Sequence, residues 1–576
     1  MAQIDVSQYL ELKIAPRAVF DRLPTHATRD RFKLPEPDGS WRGITWGAFA
    51  AQIRDVADGL IAMGLVPGER AAVYAGNRVE WLAAALGIQA AGGVMVPIYP
   101  SSTAEQVGYV IAHSDARVVF VAGQALLKNL AAAHDDQGRL GALERVVLLD
   151  DAVDRALAQR MATPLAGWAE TLAAGREAGL AAPEAFMQRM TSVSLEQPGL
   201  MLYTSGTSGP PKGVPLTHRN IGINGRDWLE CNAPLLEEGA VDLLWLPMSR
   251  IFGFGEERAS ATRSAGPAIP VDPMTVMQRL PEVRPDVFMS VPSLWEKLAM
   301  AAMAEAEPER QKARLMEVTG GRLHFCLSGG AGLKREVKGS SHAHGLLIIE
   351  GYGLTEASPT LTLNRPDAFR FDSVGRVLPS VELRLAEDGE ILARGAVDLR
   401  RIPQEGDPDA TAQALTPDGW LMTGDVGRFT DDGFLQIIDR KKDILVTAGG
   451  KNVPPVNIEQ RFADDPFVAH AVVYGDGKRY LVAGLWPNTA AIDQVLAARG
   501  VPSEQRGAAM QALLAERVAA VNAQLASYES IKRFAVMDSP LTIESGFLTP
   551  TLKVKRKKVY EVFRGRFEDL YEGAER

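Results

Sequence analysis

Short apolar runs alternate with amphipathic stretches through residues 44–150 of the chain. Apolar runs of about four to eight residues bounded by turn residues predict buried strands, and apolar positions at helical spacing predict helices between them. Alternation of strands and helices is typical of parallel βα units. The strands predicted here are 70–74, 94–98, 117–121 and 145–149, and the helices are 78–91 and 103–113.

The alternation returns after residue 199 and then gives way to two other patterns. Between about 371 and 437, Asp-Gly pairs separate short apolar runs, which predicts a β-rich subdomain. From residue 441 a hairpin, helices and one more strand predict a small α+β domain. The fold class is therefore α/β, with a large domain over 1–440 and a small one over 441–576. The strands predicted after 199 are 199–203, 242–246, 287–291, 324–327, 346–349, 468–474, 480–485 and 532–537, and the helices are 489–499 and 503–526.

Composition narrows the class of protein. A chain of 576 residues is too long for one core and predicts roughly two to four folding units. The net charge of −9 argues against nonspecific nucleic-acid binding. Two cysteines cannot staple a chain of this length, and the first residues lack the pattern of a signal peptide, so we expect a cytoplasmic protein. The longest uncharged stretch, 81–104, contains several Gly and Pro residues and predicts no membrane span, which leaves peripheral membrane contact open.

A loop rich in hydroxyls and glycines follows the predicted strand 199–203. Bare glycines let backbone N–H groups approach phosphate oxygens, and one lysine adds charge. The spacing is not that of a Walker A loop, because Pro211 stands where the second glycine belongs. The alternative is a flexible linker, but the apolar strand directly before the loop argues against it. The candidate phosphate-binding residues are Thr204, Ser205, Gly206, Thr207, Ser208, Gly209 and Lys212.

Two further Gly-rich segments follow predicted strands. They are Ser328-Gly-Gly-Ala331, after strand 324–327, and Gly351-Tyr-Gly-Leu-Thr-Glu356, after strand 346–349. Ligands of open parallel sheets bind beyond the carboxyl ends of the strands, so a flat ring could lie against this backbone with Tyr352 stacked on it. Glu356 is the acid best placed to hold Mg²⁺ on phosphate oxygens. The alternatives are a tight turn for Gly-Tyr-Gly and a helix N-terminal carboxylate for Glu356.

Three charged features lie near the boundary of the two predicted domains and at the end of the chain. Asp425 ends a strand-like run, and Arg440 follows fifteen residues later. An aspartate can accept both hydroxyls of a ribose, although an Asp–Arg surface pair is the alternative. Gly449-Gly-Lys451-Asn452 is another flexible turn, and the segment 548–558 is strongly basic. Such a charge run is usually a solvated face.

Taken together and in this order, the motifs resemble the adenylate-forming (AMP-binding) superfamily, most closely its long-chain fatty acyl-CoA synthetases. The resemblance covers nearly the whole chain. It implies that a fatty acid and ATP give acyl-AMP and pyrophosphate, and that the thiol of CoA then displaces AMP. The motifs that carry it are Tyr-Thr-Ser-Gly-Thr-Ser-Gly, Gly-Gly-Ala, Gly-Tyr-Gly-Leu-Thr-Glu, Thr-Gly-Asp, Asp-Arg-Lys-Lys-Asp, Gly-Gly-Lys-Asn and Leu-Thr-Pro-Thr-Leu-Lys.

The resemblance also implies roles for single residues. Thr204 to Lys212 hold the β- and γ-phosphates, Thr204 and Glu356 bind Mg²⁺, and Thr355 contacts the α-phosphate. Lys553 matches the adenylation lysine, which bridges the attacking carboxylate and the α-phosphate. Lys442 matches the hinge about which the small domain swings to bring in the face for thioester formation. By the same resemblance, Gly329, Gly330, Ala331, Gly351 and Tyr352 bound the adenine, Asp425 and Arg440 fix the ribose, and Gly449, Gly450 and Lys451 form the thioester face.

Three segments depart from the family pattern. Arg250 stands where relatives usually carry His, Ser293 stands where the long-chain group often has Arg, and residues 394–409 lack the usual Gly-Tyr element. Acyl length and acceptor are therefore open. Arg250 could anchor a polar acyl substituent or the thiol donor, or be a surface arginine. The competing functions are an acyl-AMP ligase that loads a carrier-protein thiol, and a non-catalytic paralogue that binds nucleotide or lipid.

Overall fold

A computed structural model of the protein describes residues 4–137, 140–150, 155–161, 163–204, 211–255, 267–395, 414–449, 451–463, 465–542, 545–548 and 554–572. The strands are β1 Asp30–Pro35, β2 Trp41–Thr45, β3 Arg70–Tyr74, β4 Val94–Ile98, β5 Ala116–Val121, β6 Arg145–Leu148, β7 Leu165–Gly167, β8 Pro198–Thr204, β9 Lys212–Thr217, β10 Asp242–Leu244, β11 Ala268–Pro270, β12 Val287–Ser290, β13 Phe325–Ser328, β14 Ile348–Gly353, β15 Thr360–Leu363, β16 Arg376–Val377, β17 Val381–Leu385, β18 Glu390–Gly395, β19 Leu421–Phe429, β20 Leu435–Arg440, β21 Leu445–Val446, β22 Asn452–Val453, β23 Val468–Tyr474, β24 Leu481–Pro487 and β25 Ile531–Val536.

Helices flank these strands on both sides of the large sheets. They are Ala15–Phe20, Leu23–His26, Trp46–Ala62, Val79–Ala90, Ala104–His113, Gln124–Gln137, Arg155–Gln159, Trp168–Ala181, Ala185–Ser192, His218–Asn232, Val276–Val283, Pro292–Met303, Pro308–Thr319, Arg335–Ala343, Pro455–Glu459, Thr489–Ala498, Arg506–Asn522 and Arg556–Glu568. Within the described residues, no helix has the length and apolar character needed to cross a bilayer.

The first large sheet has seven strands in the order β7-β6-β5-β3-β4-β8-β9. Its neighbours run parallel except for β9, which returns antiparallel to β8. The helix Val79–Ala90 packs against this sheet and is buried on nearly every side. It approaches the helix Trp46–Ala62 so closely that a Cβ on Gly87 would lie 2.6 Å from Val56. That close approach lets two helices share the core between the sheets.

The second large sheet has nine strands in the order β16-β15-β14-β13-β12-β10-β11-β1-β2. Its centre, from β14 to β11, is parallel, so the carboxyl ends of these strands meet at one edge. Antiparallel strands β15 and β16 close one side and β2 closes the other. A large apolar core lies between this sheet and the first one.

A four-stranded antiparallel sheet, β17-β18-β19-β20, forms the predicted β-rich part. The Asp-Gly pairs make its turns, and Gly389, Gly419 and Gly433 have φ near +82°. That left-handed conformation favours glycine over any residue with a Cβ.

The last part of the chain forms a three-stranded sheet, β23-β24-β25, and a two-stranded ribbon, β21-β22. Apolar clusters cover both faces of the three-stranded sheet. The basic run that the sequence left as a solvated face enters the helix Arg556–Glu568, which buries Val559, Phe563 and Phe567. The predicted α/β class with parallel βα subdomains, a β-rich subdomain and a small α+β part is confirmed.

Three local segments differ from what their sequences suggest. The phosphate loop is followed by strand β9 before the helix His218–Asn232, so the order is strand, loop, strand, helix. Gly351-Tyr352-Gly353 does not turn but continues β14, antiparallel to β15. Asp425 does not end its strand, because β19 runs on to Phe429. In each case pairing with a neighbouring strand extends a segment whose glycines suggest a break.

Candidate active site

A cavity of about 1850 Å³ lies where the carboxyl ends of both large sheets face the last part of the chain. Such an edge is where open parallel sheets bind ligands. Polar loops and glycine backbone occupy one part of its wall, and apolar side chains such as Trp245, Met289 and Leu327 occupy another. The predicted site residues on the wall are Thr204, Gly329, Gly330, Ala331, Gly351, Tyr352 and Thr355.

The base of the predicted phosphate loop is a β-hairpin. Thr204 at the end of β8 pairs with Lys212 at the start of β9, which brings the hydroxyl and the ammonium residues together across the hairpin. Behind it, the hydroxyl of Tyr203 lies 2.8 Å from Nδ1 of His113. A Cβ on Gly213 would come within 2.3 Å of the terminal methyl of Met201, so a larger residue there would require the Met201 side chain to shift. The predicted residues Ser205, Gly206, Thr207, Ser208 and Gly209 lie outside the described residues.

The short 3-10 turn Thr355–Ala357 packs against β9. Its first residue, Thr355, lines the cavity, and Glu356 is half-buried beside it. The structure thus brings the predicted α-phosphate residue and one predicted metal ligand next to the strand that begins at Lys212. One carboxylate and one hydroxyl, completed by substrate phosphates, form the kind of oxygen donor set that Mg²⁺ takes. The residues present therefore fit the metal that the resemblance implies.

Glycine backbone forms the predicted adenine wall. Gly330 has a φ of +81°, and a Cβ on Gly329 would lie 3.0 Å from the ring of Phe252. On the neighbouring strand, a Cβ on Gly353 would lie 1.9 Å from the carbonyl oxygen of Pro359. Side chains at these positions would collide with the wall itself, so the glycines allow two pieces of backbone to border one flat space.

The two residues predicted to hold ribose form a cross-strand pair. Asp425 of β19 lies opposite Arg440 of β20, with Nε of Arg440 2.8 Å from Oδ1 of Asp425. The hydroxyl of Tyr352 donates to Oδ2 of the same carboxylate at 2.7 Å. Burial, and then the Asp425 carboxylate, raise the pKa of the Tyr352 hydroxyl, so Tyr352 stays a donor. The adenine wall and the ribose acid are therefore tied by a direct hydrogen bond.

A second carboxylate at this edge is one that the sequence did not single out. Glu350, the residue before Gly351, pairs with Lys338 at 2.5 Å and accepts a hydrogen bond from the backbone N–H of Leu333 at 2.7 Å. Burial raises the pKa of Glu350, and the ammonium of Lys338 opposes that shift. No spacing rule joins two charges twelve residues apart across a strand and a helix, so the sequence carried no signal for this pair.

Lys441, the residue before the hinge predicted at Lys442, makes a set of polar contacts that we call the clasp. Lys441 pairs with Asp388 at 2.6 Å and with Glu390 at 2.7 Å, and its N–H donates to the carbonyl of Gly424 at 2.8 Å. Glu390 also accepts from the N–H of Gly424 at 2.9 Å. Gly424 is the neighbour of Asp425, so the clasp links the predicted hinge to the predicted ribose site. Lys442 itself is exposed.

Beyond the predicted hinge, three acids lie close to the guanidinium of Arg556. Arg556 pairs with Glu459 and with Asp443, the latter at 3.5 Å. Asp439, at the end of β20, is buried near the same guanidinium and accepts a hydrogen bond from the N–H of Val456 at 3.4 Å. Burial raises the pKa of Glu459 to about 7, with Arg556 opposing it. Contacts of Asp439 therefore join the β-rich sheet to the last part of the chain.

One face of the last part of the chain borders the cavity. The residues on that face, which the sequence did not single out, are Asn457, Gln460, Arg461, Gln524, Glu529 and Lys555. Gly449 and Lys451 are exposed and are not among the described residues that line the cavity. Lys553 and Gly450 lie outside the described residues. The described arrangement thus turns the segment next to Lys553, rather than the predicted thioester face, toward the cavity.

Comparisons with known proteins identify the family of this chain. The AMP-binding enzyme family model matches residues 23–397, and the AMP-binding enzyme C-terminal domain model matches residues 442–575. The long-chain-fatty-acid–CoA ligase FadD15 of Mycobacterium tuberculosis is 31% identical over 582 residues, covering 93% of each chain. The long-chain-fatty-acid–CoA ligase ACSBG2 of Xenopus laevis is 26% identical, covering 93% of this chain and 80% of the relative.

Solved structures show the same fold. The anthranilate CoA ligase AuaEII in complex with anthranoyl-AMP has a TM-score of 0.75 at 20% identity, covering 98% of this chain and 99% of that one. The adenylation domain of a carboxylate reductase from Mycobacterium chelonae has a TM-score of 0.77 at 21% identity, covering 99% of this chain and 93% of that one. With the family models matching most of its length, this chain belongs to the AMP-binding enzyme family.

Proposed function

We propose that this protein is a fatty acid:CoA ligase that forms AMP. It activates a long-chain fatty acid with ATP to acyl-AMP, releases pyrophosphate and transfers the acyl group to CoA. The observation that carries the proposal is the single cavity that brings together the Thr204–Lys212 hairpin, the glycine walls with Tyr352 and its Asp425 partner, and the Lys555 end of the chain. Names of the relatives over nearly the whole chain support the acid and the thiol.

In the first step a carboxylate oxygen attacks the α-phosphorus, and the bond to pyrophosphate breaks. A carboxylate is a poor nucleophile, and both reactants are anions, so rate must come from alignment and from charge placed where it develops. Lys212 and the loop before it hold the β- and γ-phosphates, Thr355 contacts the α-phosphate, and Lys553 bridges carboxylate and phosphate. Mg²⁺, held by Thr204 and Glu356, supplies positive charge to the phosphate oxygens when bound.

In the second step the thiol sulfur attacks the acyl carbonyl carbon, and the carbon–oxygen bond to AMP breaks. The Lys553 segment and a thiol channel cannot occupy the same place, so the two domains, 1–440 and 441–576, change their orientation about Lys442 between the steps. That motion brings the face of Gly449, Gly450 and Lys451 toward the cavity. The clasp of Lys441 then lies at the axis of the motion, next to the nucleotide.

Pyrophosphate release with a panel of acids from two to eighteen carbons tests the proposal. We expect release only with Mg·ATP and an acid, with the highest kcat/KM for long chains, and acyl-CoA as the product when CoA is added. Acyl transfer to a holo carrier protein but not to CoA would replace the acceptor in our proposal. If no acid stimulates release, the enzyme assignment fails. Measuring release with and without lipid vesicles tests whether a cytoplasmic enzyme contacts membranes peripherally.

Lys553→Ala separates the two steps. We expect it to lose roughly 10²–10³-fold or more in acyl-AMP formation, the usual loss for one positioned charge-stabilising donor, while acyl transfer from supplied acyl-AMP to CoA is retained. The neighbouring Lys557→Ala, which removes the same charge from the exposed side of the last helix, is the matched control. Equal loss of both steps in Lys553→Ala would contradict the assignment of two domain orientations.

A further inference from the structure

Arg250 lies inside the cavity, held by contacts to both large sheets. It follows β10 of the second sheet and lines the cavity wall. Its guanidinium carbon stands 5.0 Å from the ring centroid of Tyr99, which directly follows β4 of the first sheet. Because β4 is the neighbour of β8, Tyr99 lies one strand away from Thr204 at the same sheet edge. The guanidinium therefore lies on the cavity wall near the predicted phosphate hairpin.

The backbone before Arg250 is fastened to the first sheet. The Asn77 side chain donates to the carbonyl of Leu246 at 2.9 Å and accepts from the N–H of Met248 at 3.0 Å. The N–H of Arg250 itself donates to the carbonyl of Pro247 at 3.0 Å. A segment tied at three points presents its side chains in fixed positions, which is a requirement for a binding residue.

The charge of Arg250 is oriented but not neutralised. Among the described residues no carboxylate forms an ion pair with it, and Tyr99 is the partner that the structure gives it. Burial lowers the pKa of Arg250, and Tyr99 opposes that shift. The side chain nevertheless keeps an accessible surface. By contrast, Arg440 has Asp425 and Arg556 has Glu459.

A second donor stands next to it. Ser249 also lines the cavity, is 9% exposed, and its Oγ forms no hydrogen bond within the described part of the chain. A buried hydroxyl without a partner costs free energy that a bound acceptor would recover. A guanidinium and a hydroxyl on consecutive residues of one cavity wall offer several N–H and O–H donors, which suits the oxygens of a carboxylate or phosphate.

We propose that Arg250 and Ser249 form an oxyanion-binding site for a reactant of the ligase reaction. The inference rests on the proposed function, because the reactants it names are those of that reaction. Apart from ATP, two reactants bring such oxygens to this cavity. They are the acyl donor, through its carboxylate, and the thiol donor, through its phosphates. This role goes beyond binding the nucleotide, for which the site has the phosphate hairpin and the ribose pair.

Half-reactions of Arg250→Met, Arg250→Lys and Ser249→Ala test the proposal. Three assays are compared: acid-dependent pyrophosphate release, acyl transfer from supplied acyl-AMP to CoA, and the same transfer to pantetheine, which lacks phosphates. Hydrogen bonds to a charged group contribute about 1.5–3 kcal/mol, so we expect Arg250→Met to raise one KM by roughly 10–150-fold. Arg250→Lys should recover part of that loss, and Ser249→Ala should raise the same KM several-fold.

Comparison of the three assays identifies which reactant binds to Arg250 and Ser249. A raised KM for the acid in pyrophosphate release assigns the site to the acyl carboxylate. A raised KM for CoA, with that for pantetheine unchanged, assigns it to phosphates of the thiol donor. Arg314→Met, which removes an exposed arginine paired with Glu317 on a distant helix, is the matched control and should leave all three assays unchanged.

Three KM values within twofold of the wild type in Arg250→Met would overturn the proposal. So would a uniform fall of kcat in all assays with a lowered melting temperature, because that is the mark of a structural role. Calorimetric affinities of the acid, CoA and pantetheine for the wild type and Arg250→Met supply a readout that needs no turnover. If the wild type released no pyrophosphate with any acid, the proposed function would fail, while equal affinities in both proteins would separately overturn the role of Arg250.

Discussion

Two carboxylate–cation pairs lie at the edge of the cavity and differ in what surrounds them. In the pair Glu350–Lys338 both side chains are almost fully enclosed, with 3% and 4% of their surfaces exposed. In the pair Asp425–Arg440 the carboxylate is 8% exposed, but the guanidinium is 53% exposed. Both residues of the first pair line the cavity, but the oxygens of Glu350 already accept from Lys338 and from the N–H of Leu333, so this pair positions strand β14. The second pair is not itself part of the described cavity wall, but it contacts that wall through Tyr352, and its guanidinium stays accessible.

The difference teaches that burial of a charge does not by itself mark a functional group. Glu350 has the more perturbed surroundings, yet its oxygens are used by Lys338 and by the Leu333 N–H. The oxygens of Asp425 accept from Tyr352, which lines the cavity, and pair with Arg440, which is predicted to help hold the ribose. Both carboxylates therefore have a partner on the cavity wall, and the difference is that the cation paired with Asp425 is half exposed while the one paired with Glu350 is enclosed.

The largest effect is expected from breaking the enclosed pair. Glu350→Leu leaves Lys338 as a buried charge without its carboxylate, which typically costs about 3–5 kcal/mol of unfolding free energy. We expect a large fall in the urea midpoint followed by tryptophan fluorescence. Lys338→Met combined with Glu350→Leu should recover much of the loss, because the charge is then removed as well. The exposed Glu309→Gln is the control, and a loss as small as its own would show that Glu350 is not scaffold.

A third pair, Glu459–Arg556, is intermediate and predicts a pH dependence. Asp439, Asp443 and Tyr560 also face it, and burial raises the pKa of Glu459 to about 7 from its ordinary 4.5. Between these values the folded protein holds a proton that the unfolded chain has lost. Stability from this group is therefore highest below pH 4.5 and falls as pH rises through 7, by at most about 3.5 kcal/mol at roughly 1.4 kcal/mol per pKa unit.

Glu459→Gln should remove that slope. Measured as urea midpoints from pH 5 to pH 8, the variant should lose less stability with rising pH than the wild type does. Glu561→Gln, the same change on the exposed side of the adjacent helix, should keep the wild-type slope. Parallel pH profiles for the wild type and Glu459→Gln would contradict the raised pKa of Glu459 in the folded protein.

Removing the charge of Asp425 in the Asp425–Arg440 pair should weaken ligand binding more than it lowers stability. Asp425→Asn keeps the shape and a partner for Tyr352 but removes the charge expected to hold two ribose hydroxyls. Hydrogen bonds to a charged group contribute about 1.5–3 kcal/mol, so we expect AMP affinity to fall by roughly 10–150-fold in calorimetry. The urea midpoint should change little. A large loss of stability with unchanged AMP affinity would place Asp425 with the scaffold.

Sequence pattern predicted much of this fold, and its failures have physical causes. Strands β3 and β4 begin and end where the apolar runs do, because nearly all of their side chains are buried, on both faces. Strand β9 was missed because it is a six-residue edge strand that contains Pro215, a residue that cannot donate to a ladder. The continuation of β14 through Gly351 and Gly353 depends on pairing with β15, which no local signal shows.

The candidate site divides in the same way. Motifs placed Thr204, Thr355, Tyr352 and Asp425 in one site, because their chemistry and their positions after strands are visible in the sequence. The pairs Lys338–Glu350 and Lys441–Glu390 join residues twelve and fifty-one positions apart. Their meeting depends on how a helix and three strands pack, so neither charge stood out from ordinary surface charges in the sequence.

The smallest effect is expected from the link between the adenine wall and the ribose pair. Tyr352→Phe keeps the ring that can stack on adenine but removes the hydroxyl that donates to Asp425 at 2.7 Å. A net hydrogen bond contributes about 0.5–1.5 kcal/mol, so AMP affinity should fall only about two- to tenfold. Combined with Asp425→Asn, the loss should be less than the sum of the two, because both variants act on one hydrogen bond. Strict additivity in calorimetry would mean that Tyr352 and Asp425 bind the nucleotide independently, and the open pair would then consist of Asp425 and Arg440 alone.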